Sequence, residues 1–450
     1  MNLTRRNFLK NAGMLTAGAG ALSLIGCAKG KKVSIPPMKP LEPPFRLPES
    51  WYRNTIKRLQ ARLEENGIDG MILEDRWNII YFSGLFHTTT ERPFWLFIPT
   101  KGDPVFFNPG LDRDLVDSWW IKDNEWYFDY PHHGEFNKIV YEPGPPVDLF
   151  EWMLSRLKAR GYGKATLGIE KEVGPEKQTR MRKTVPHAAF KVAGDICLKM
   201  RQIKTPEEIE LTQKAIDLHD HMMEYARALI LEHGTDLTDF DVRIETERYG
   251  TELLMQWLKL DGKPHNGVGI NLRFGCRAGV ATAYPHPNQF FYHKIKRGDA
   301  IQIAALIRIG GYGGEGYRAL QTEPMTDLQK KMWEVHTEMT LLQAELCKAG
   351  ARCNEIGATV LKVARDAGLE KYIYHRPAHG EGMEGHQAPY LSLGDETILE
   401  EGMMFSNEPG LYNPEGGWGY NHSNNILVGK ERGIVMNKIP LSKEWCWLKI

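Results

Sequence analysis

An excess of charge of either sign is missing from this chain of 450 residues, in which 57 lysines and arginines stand against 57 aspartates and glutamates. No basic face for nucleic acid follows from that balance. Cysteine is scarce as well: after Cys27 only Cys197, Cys276, Cys347, Cys353 and Cys446 remain, with neither a Cys-x-x-Cys pair nor a dense framework. Buried thiols are therefore expected, although an oxidising compartment would permit Cys347 and Cys353 to pair. The apolar, uncharged run from Ala12 to Gly26 is too short to span a bilayer as a stable anchor.

What precedes and follows that run gives it a different meaning. Thr4-Arg5-Arg6-Asn7-Phe8-Leu9-Lys10 places charge before a short apolar segment, the pattern of an export signal, and resembles a twin-arginine translocation signal. Leu24-Ile25-Gly26-Cys27 resembles a bacterial lipobox, so cleavage before Cys27 would leave a lipidated N-terminus facing the periplasm or the outside. Residues 28–50 are rich in proline and lack apolar periodicity, which predicts a semi-extended spacer between membrane and folded body. About four hundred residues are left, enough for two domains with large cores.

Along the chain, residues 51–65 predict an amphipathic helix ending at Gly67, and Gly70–Asp75, Asn78–Leu85 and the Phe94–Phe107 hairpin read as strands. A helix from Val147 to Arg160 leads into the strand Ala165–Glu170. Strands alternating with helices predict an α/β domain over 51–197. A second domain, 198–450, opens with Thr205 as N-cap, Pro206 at the first helical position and Glu208 closing a capping box. Thr326 and Gln329 cap another helix, whose Leu328, Met332, Val335, Met339, Leu342 and Leu346 form a stripe expected in the core. Gly311, Gly313 and Gly316 spell Gly-x-Gly-x-x-Gly after the strand Ala300–Ile309. No helix follows to present its N-terminus to a phosphate, so no dinucleotide site is predicted.

The densest chemistry lies between His375 and Pro409. His375, His379 and His386 are interleaved with carboxylates and glycines, and Glu408 follows in Glu-Pro-Gly. Pro377 and the glycines disfavour a regular helix, so short strands and loops are expected. Imidazoles ligate metals and carry protons near neutral pH, and neighbouring glycines let a substrate approach the backbone.

These residues carry a resemblance. H-x-x-x-H-G-x-G-x-E-x-H-x-x-P followed by L-E-x-G-M-x-F-x-x-E-P-G-x-Y resembles the "pita-bread" superfamily of methionine aminopeptidases, prolidases, Xaa-Pro aminopeptidases and creatinase. Asn78-x-x-Tyr81-x-Ser83-Gly84 and the segment Arg201–Glu210 are similar to its N-terminal domain and domain junction. The resemblance implies an α/β (α+β) chain, with a creatinase-like N-terminal domain followed by a pita-bread domain, and a homodimer.

It also implies a ligand set. Metallopeptidases of the superfamily hold two metals with two aspartates, a histidine and two glutamates, because closely spaced cations need shared anions. Carried over, those positions fall on Ala304, Glu315, His379, Glu408 and Ser423, so two carboxylates are missing. No cofactor is therefore expected, or at most a single divalent cation on Glu315, His379 and Glu408. Creatinase keeps the fold without catalytic metal, and similarity to it gives His286 the role of proton carrier, with His293 as competitor. His379 and Glu408 would complete the catalytic set. Glu315, His375 and His386 would bind substrate, together with Arg92 contributed by a neighbouring subunit. The resulting expectation is an exported hydrolase that cleaves a C–N bond of a small molecule or short peptide. The rivals are a binding lipoprotein without catalysis, and a true metallopeptidase whose ligands include His422 or Glu384.

Overall fold

The computed structural model describes residues 31–87, 90–128, 148–259, 269–287 and 292–450. The signal-like segment and Cys27 lie outside the described residues. Residues 31–48 contain no helix or strand before Pro48, yet Leu41, Phe45 and Leu47 are buried. The Pro44 carbonyl also accepts a hydrogen bond from Lys214 Nζ at 2.8 Å. This stretch is thus strapped onto the body, which corrects the reading of it as a free spacer: three apolar side chains gain more from burial than an extended tether would keep.

In the N-terminal half, helix α1 (Glu49–Glu65) buries Trp51, Ile56, Leu59 and Leu63 at helical spacing. It covers a six-stranded sheet in the order β4-β3-β2-β1-β5-β6. The strands are β1 (Gly70–Leu73), β2 (Trp95–Pro99), β3 (Val105–Pro109), β4 (Asn124–Tyr127), β5 (Thr166–Ile169) and β6 (Ala189–Val192). The expected hairpin is β2–β3, paired antiparallel with Trp95 opposite Phe107. The strand read at Asn78–Leu85 is instead part of helix α2 (Arg76–Ser83). Asp75 caps it by accepting from the amides of Trp77 and Asn78, and Gly84 ends it in the left-handed region at φ 72°. Those two local devices outweigh the β-propensity of Ile79, Ile80, Tyr81 and Phe82. Helix α3 (Leu149–Ala159) packs beside Pro175–Thr184 on this sheet.

The C-terminal half begins with α4 (Pro206–His233), whose capping box of Thr205 and Glu208 forms as read. Trp51 Nε1 of α1 donates to Thr205 Oγ1 at 3.0 Å and so ties the two halves at that cap. Helices α4 and α5 (Asp239–Leu258) lie against a sheet in the order β17-β9-β8-β7. Its members are β7 (Asn271–Ala278), β8 (Ala300–Ile309), β9 (Tyr312–Thr322) and β17 (Trp447–Leu448). The Gly311–Gly316 run is the β8–β9 turn and the first half of β9, as Gly311 at φ 86° requires, and not a phosphate loop.

A second sheet, in the order β11-β10-β12-β15-β16, comprises β10 (Ala378–Gly380), β11 (Gln387–Leu391), β12 (Met404–Asn407), β15 (Asn424–Val428) and β16 (Gly433–Val435). β13 (Leu411–Asn413) and β14 (Trp418–Tyr420) form a separate hairpin. Helices α6 (Asp327–Leu346) and α7 (Cys353–Asp366) cover this sheet. The core face of α6 is rotated from the expected stripe. Met332 and Met339 are buried, but Leu328 is exposed, and Trp333, His336, Thr340 and Gln343 fill the inner face. Polar partners decide that rotation: Trp333 Nε1 donates to the Ala319 carbonyl and His336 Nε2 accepts from the His422 amide. The five described cysteines are free and buried.

Candidate active site

The two sheets of the C-terminal half meet beneath the histidine-rich stretch. Tyr317 of β9 and Ser423 form an antiparallel bridge, exchanging N–H to O bonds of 3.2 and 3.0 Å. Below it, the buried guanidinium of Arg318 donates to the carbonyls of Tyr317, Ser423 and Ile439 and to Asn424 Oδ1, all within 2.9 Å. Main-chain atoms thus fix the distance between β9, which carries Glu315, and the strand pair β10–β12, which carries His379 and leads to Glu408.

Three of the sequence-derived residues come together on this frame. His379 is fully buried. A register shift between His379 and Gly380 aims its ring, and Nδ1 lies 3.1 Å from the Gly380 carbonyl. Nε2 then faces Glu315 Oε1 at 2.8 Å and Glu408 Oε1 at 3.4 Å. His386 stacks on His379 with ring centroids 3.7 Å apart, and its Nε2 lies 3.6 Å from the same Glu315 oxygen. Burial alone would lower the His379 pKa, but hydrogen bonds to Glu315 and Glu408 raise it to about 10. Burial likewise works to raise Glu315, yet its bonds to His379 and Tyr317 hold it below the usual carboxylate range. Burial and the neighbouring charge of His379 push exposed His386 down. The cluster is therefore two carboxylates around one positive charge.

A cavity of about 610 Å³ opens above it, lined among others by His286, Glu315, His375, His386, Glu408 and Tyr412. His375 Nε2 lies 3.0 Å from Tyr412 Oη, so its place is on the wall. Of the two proton-carrier candidates, His286 is exposed in this cavity. His293 instead pairs with Asp299 Oδ2 at 2.9 Å and packs against Gly279. Arg92 lies in the N-terminal half, beside Glu91 at 2.6 Å, and lines a different cavity with Asp112 and Phe150. Its arrival from a neighbouring subunit is a proposal about the assembly.

The alternative ligands go elsewhere. Glu384 pairs with Arg201 at 2.9 Å, and His422 accepts the Ala319 amide at Nδ1 while stacking on His336. Ser423 Oγ is taken up by Ser406 Oγ at 2.8 Å, and Ala304 offers no ligand atom.

Sequence reasoning missed the residues that hold Glu315. Tyr317 Oη donates to Glu315 Oε2 at 2.8 Å, Glu381 Oε1 accepts the Glu315 amide at 2.7 Å, and Asn425 Nδ2 donates to the Glu315 carbonyl at 3.1 Å. Tyr317 was within reach, since residues i and i+2 share one face of a strand. Burial, and then the charge of Glu315, raise the Glu381 carboxyl to about 7.

The donor set fits a divalent cation. One oxygen of Glu315 and one nitrogen each of His379 and His386 lie within 4.8 Å of one another. A His379 Nδ1–H bonded to a backbone carbonyl leaves Nε2 as the ligating atom, the usual arrangement behind a metal-bound imidazole.

Comparison with known proteins agrees. Residues 55–203 match the creatinase/prolidase N-terminal domain, and residues 210–430 match metallopeptidase family M24. An Xaa-Pro dipeptidase from Lactobacillus delbrueckii subsp. lactis is 26% identical over 364 residues, covering 80% of this chain and 90% of that protein. A creatinase from Bacillus sp. (strain B-0618) is 25% identical over 415 residues, covering 90% and 94%. A prolidase from Thermococcus sibiricus superposes with a TM-score of 0.70 at 19% identity, over 89% of this chain and 99% of that one, which shows the shared fold. The expectation that no cofactor is needed is overturned by the match to a metallopeptidase family and by the ligand cluster of Glu315, His379 and His386. That expectation weighed the carboxylates missing at 304 and 423 and overlooked His386, which the fold stacks on His379. With an α/β N-terminal domain and a C-terminal pita-bread domain in place, the chain belongs to the creatinase and Xaa-Pro peptidase superfamily and is a hydrolase of that type.

Proposed function

We propose that the chain is a cation-dependent peptidase that hydrolyses the C–N bond of a short peptide, of the Xaa-Pro type that its relatives are named for. The observation that carries this reading is the placement of Glu315, His379, His386 and Glu408 around one point at the floor of the cavity.

A divalent cation bound by Glu315, His379 and His386 would polarise the scissile carbonyl. Glu408, partly exposed beside them, takes a proton from the attacking water. Glu408 then passes that proton to the leaving nitrogen, which closes the proton balance. His286 and His375 hold the substrate against the wall, and Tyr317 fixes the rotamer of Glu315. The experiment is hydrolysis of a panel of Xaa-Pro dipeptides by the protein loaded with manganese, cobalt or zinc. Free proline is expected; no cleavage of any panel member would overturn the reading.

We propose further that the protein is exported and lipid-anchored through Cys27, on the strength of Arg5-Arg6 and of the Leu24–Cys27 motif. Among the described residues no helix is long and apolar enough to cross a membrane. Cys27→Ser is expected to move the protein from the membrane pellet to the soluble fraction. Retention through a carbonate wash would defeat the assignment.

A further inference from the structure

The strap of residues 31–48 is docked along α4 from one end of that helix to the other. Near the start of α4, Lys214 Nζ donates to the Pro44 carbonyl at 2.8 Å, and the Phe45 carbonyl lies beside Gly310 together with Leu211. Between the ends, Val33, Ile35 and Met38 pack against the core. Just past the C-terminus of α4, Lys31 Nζ donates to the Asp236 carbonyl at 3.2 Å and stands 3.7 Å from its carboxylate. A helix of 28 residues is about 42 Å long, so the strap has a fixed direction that ends at Lys31. Cys27 precedes Lys31 by four residues, which span at most about 14 Å. A lipid on Cys27 would therefore hold the edge around Lys31 close to the headgroups.

Main-chain contacts show what else lies on that edge. The Leu237 carbonyl accepts from the Ile295 amide at 2.9 Å, and Thr238 bridges to Lys294. Thr322 Oγ1 donates to the Lys296 carbonyl at 2.9 Å, and Thr322 is paired with Leu448 between β9 and β17. A Cβ added at Gly234 would meet Ile450 at 3.2 Å. Segments 31–32, 234–238, 294–297 and 449–450 thus share one edge. On it Lys32, Lys294, Lys296, Arg297 and Lys449 are exposed, and among the described residues none of the five makes an ion pair. Asp236 is taken up by Lys31 and Asp299 by His293, which leaves the side chains of Glu232 and Glu323 against five cations. Charges act over roughly 10 Å in 0.1 M salt, and a cluster of lysines and arginines beside a membrane anchor attracts anionic headgroups.

We propose that this edge is a docking surface for anionic lipid. The anchored protein lies with Lys32, Lys294, Lys296, Arg297 and Lys449 on the lipid phosphates, and its body does not swing freely on the tether. This rests on the reading of Cys27 as a lipid anchor and adds the face that meets the bilayer.

The orientation is measured on the lipidated full chain, reconstituted into vesicles of phosphatidylglycerol or of phosphatidylcholine that contain a lipid with a nitroxide headgroup. A fluorophore is attached through Thr235→Cys, on the edge, or through Ala189→Cys, on the exposed strand β6 of the N-terminal half; the five described native cysteines are buried. In phosphatidylglycerol at 0.1 M salt, quenching at position 235 is expected to be at least about twice that at 189. That excess is expected to fall by about half or more in phosphatidylcholine, in 1 M salt, and in a protein carrying Lys294→Gln, Lys296→Gln and Arg297→Gln. Equal quenching at the two positions overturns the proposal and leaves the anchor standing. So does an excess that survives both phosphatidylcholine and 1 M salt, a comparison that needs no variant to fold. A full chain found by mass spectrometry to carry no lipid, and recovered in the soluble fraction, removes the anchor and the docking surface together.

Discussion

His379→Ala is expected to lower kcat/KM by at least about a thousandfold, because it removes the imidazole that meets both Glu315 and Glu408. The sequence alone predicts little loss of stability, on the expectation of a partly exposed side chain. Full burial reverses that expectation. In the cation-free protein, removing His379 leaves two carboxylates facing one another around a void, at a cost of about 3–5 kcal/mol, the scale found when one partner of a buried pair is removed. Stability and turnover can be separated by adding Glu315→Gln to His379→Ala. The second change removes one of the stranded charges, so chemical denaturation should show part of the stability restored while the hydrolysis rate stays at the floor. A His379→Ala protein that unfolds at the wild-type denaturant concentration, or that turns substrate over normally, would remove His379 from the site.

The second large effect is expected from removing the cation. Dialysis against a chelator should reduce hydrolysis at least about a hundredfold, and manganese, cobalt or zinc should restore it, since the carbonyl is otherwise polarised by no group of comparable charge density. The restored protein should also be more stable, by about 2.7 kcal/mol when the cation stands at a hundred times its Kd. The direction with pH follows from the free site. Burial pulls the His379 pKa down, but its two carboxylate partners raise it to about 10, so below that pH the imidazole carries a proton that the cation must displace. Apparent affinity should therefore rise about tenfold per pH unit between pH 6.5 and 8.5, because ligation needs the neutral ring. Full activity in protein shown by mass spectrometry to be metal-free would refute cation dependence.

What the sequence disclosed depended on how local the signal was. His379, His386 and Glu408 lie within one stretch, and their spacing alone marks a site. The capping boxes at Thr205 and Thr326 are three-residue signals and form as read. Helix α2 was misread because a cap at Asp75 and a glycine at 84 govern only two turns, while the residues between favour strands. Glu381 and Asn425 were invisible for another reason. Their place beside Glu315 is set by how two sheets meet at the Tyr317–Ser423 bridge, which no local spacing encodes. The stack of His386 on His379 is not legible in the sequence because it depends on the bulge after His379, not on their separation along the chain.

Arg318 gives the frame an evolutionary character. Its guanidinium grips three main-chain carbonyls and a single side-chain oxygen, so the geometry that brings Glu315 to His379 is written almost wholly in backbone atoms. Side chains that merely project from that scaffold, such as those at 304 and 423, are free to drift without loosening it. A substitution at 304 or 423 can therefore change the chemistry offered to the cluster while the main-chain frame that holds Glu315 against His379 stays in place.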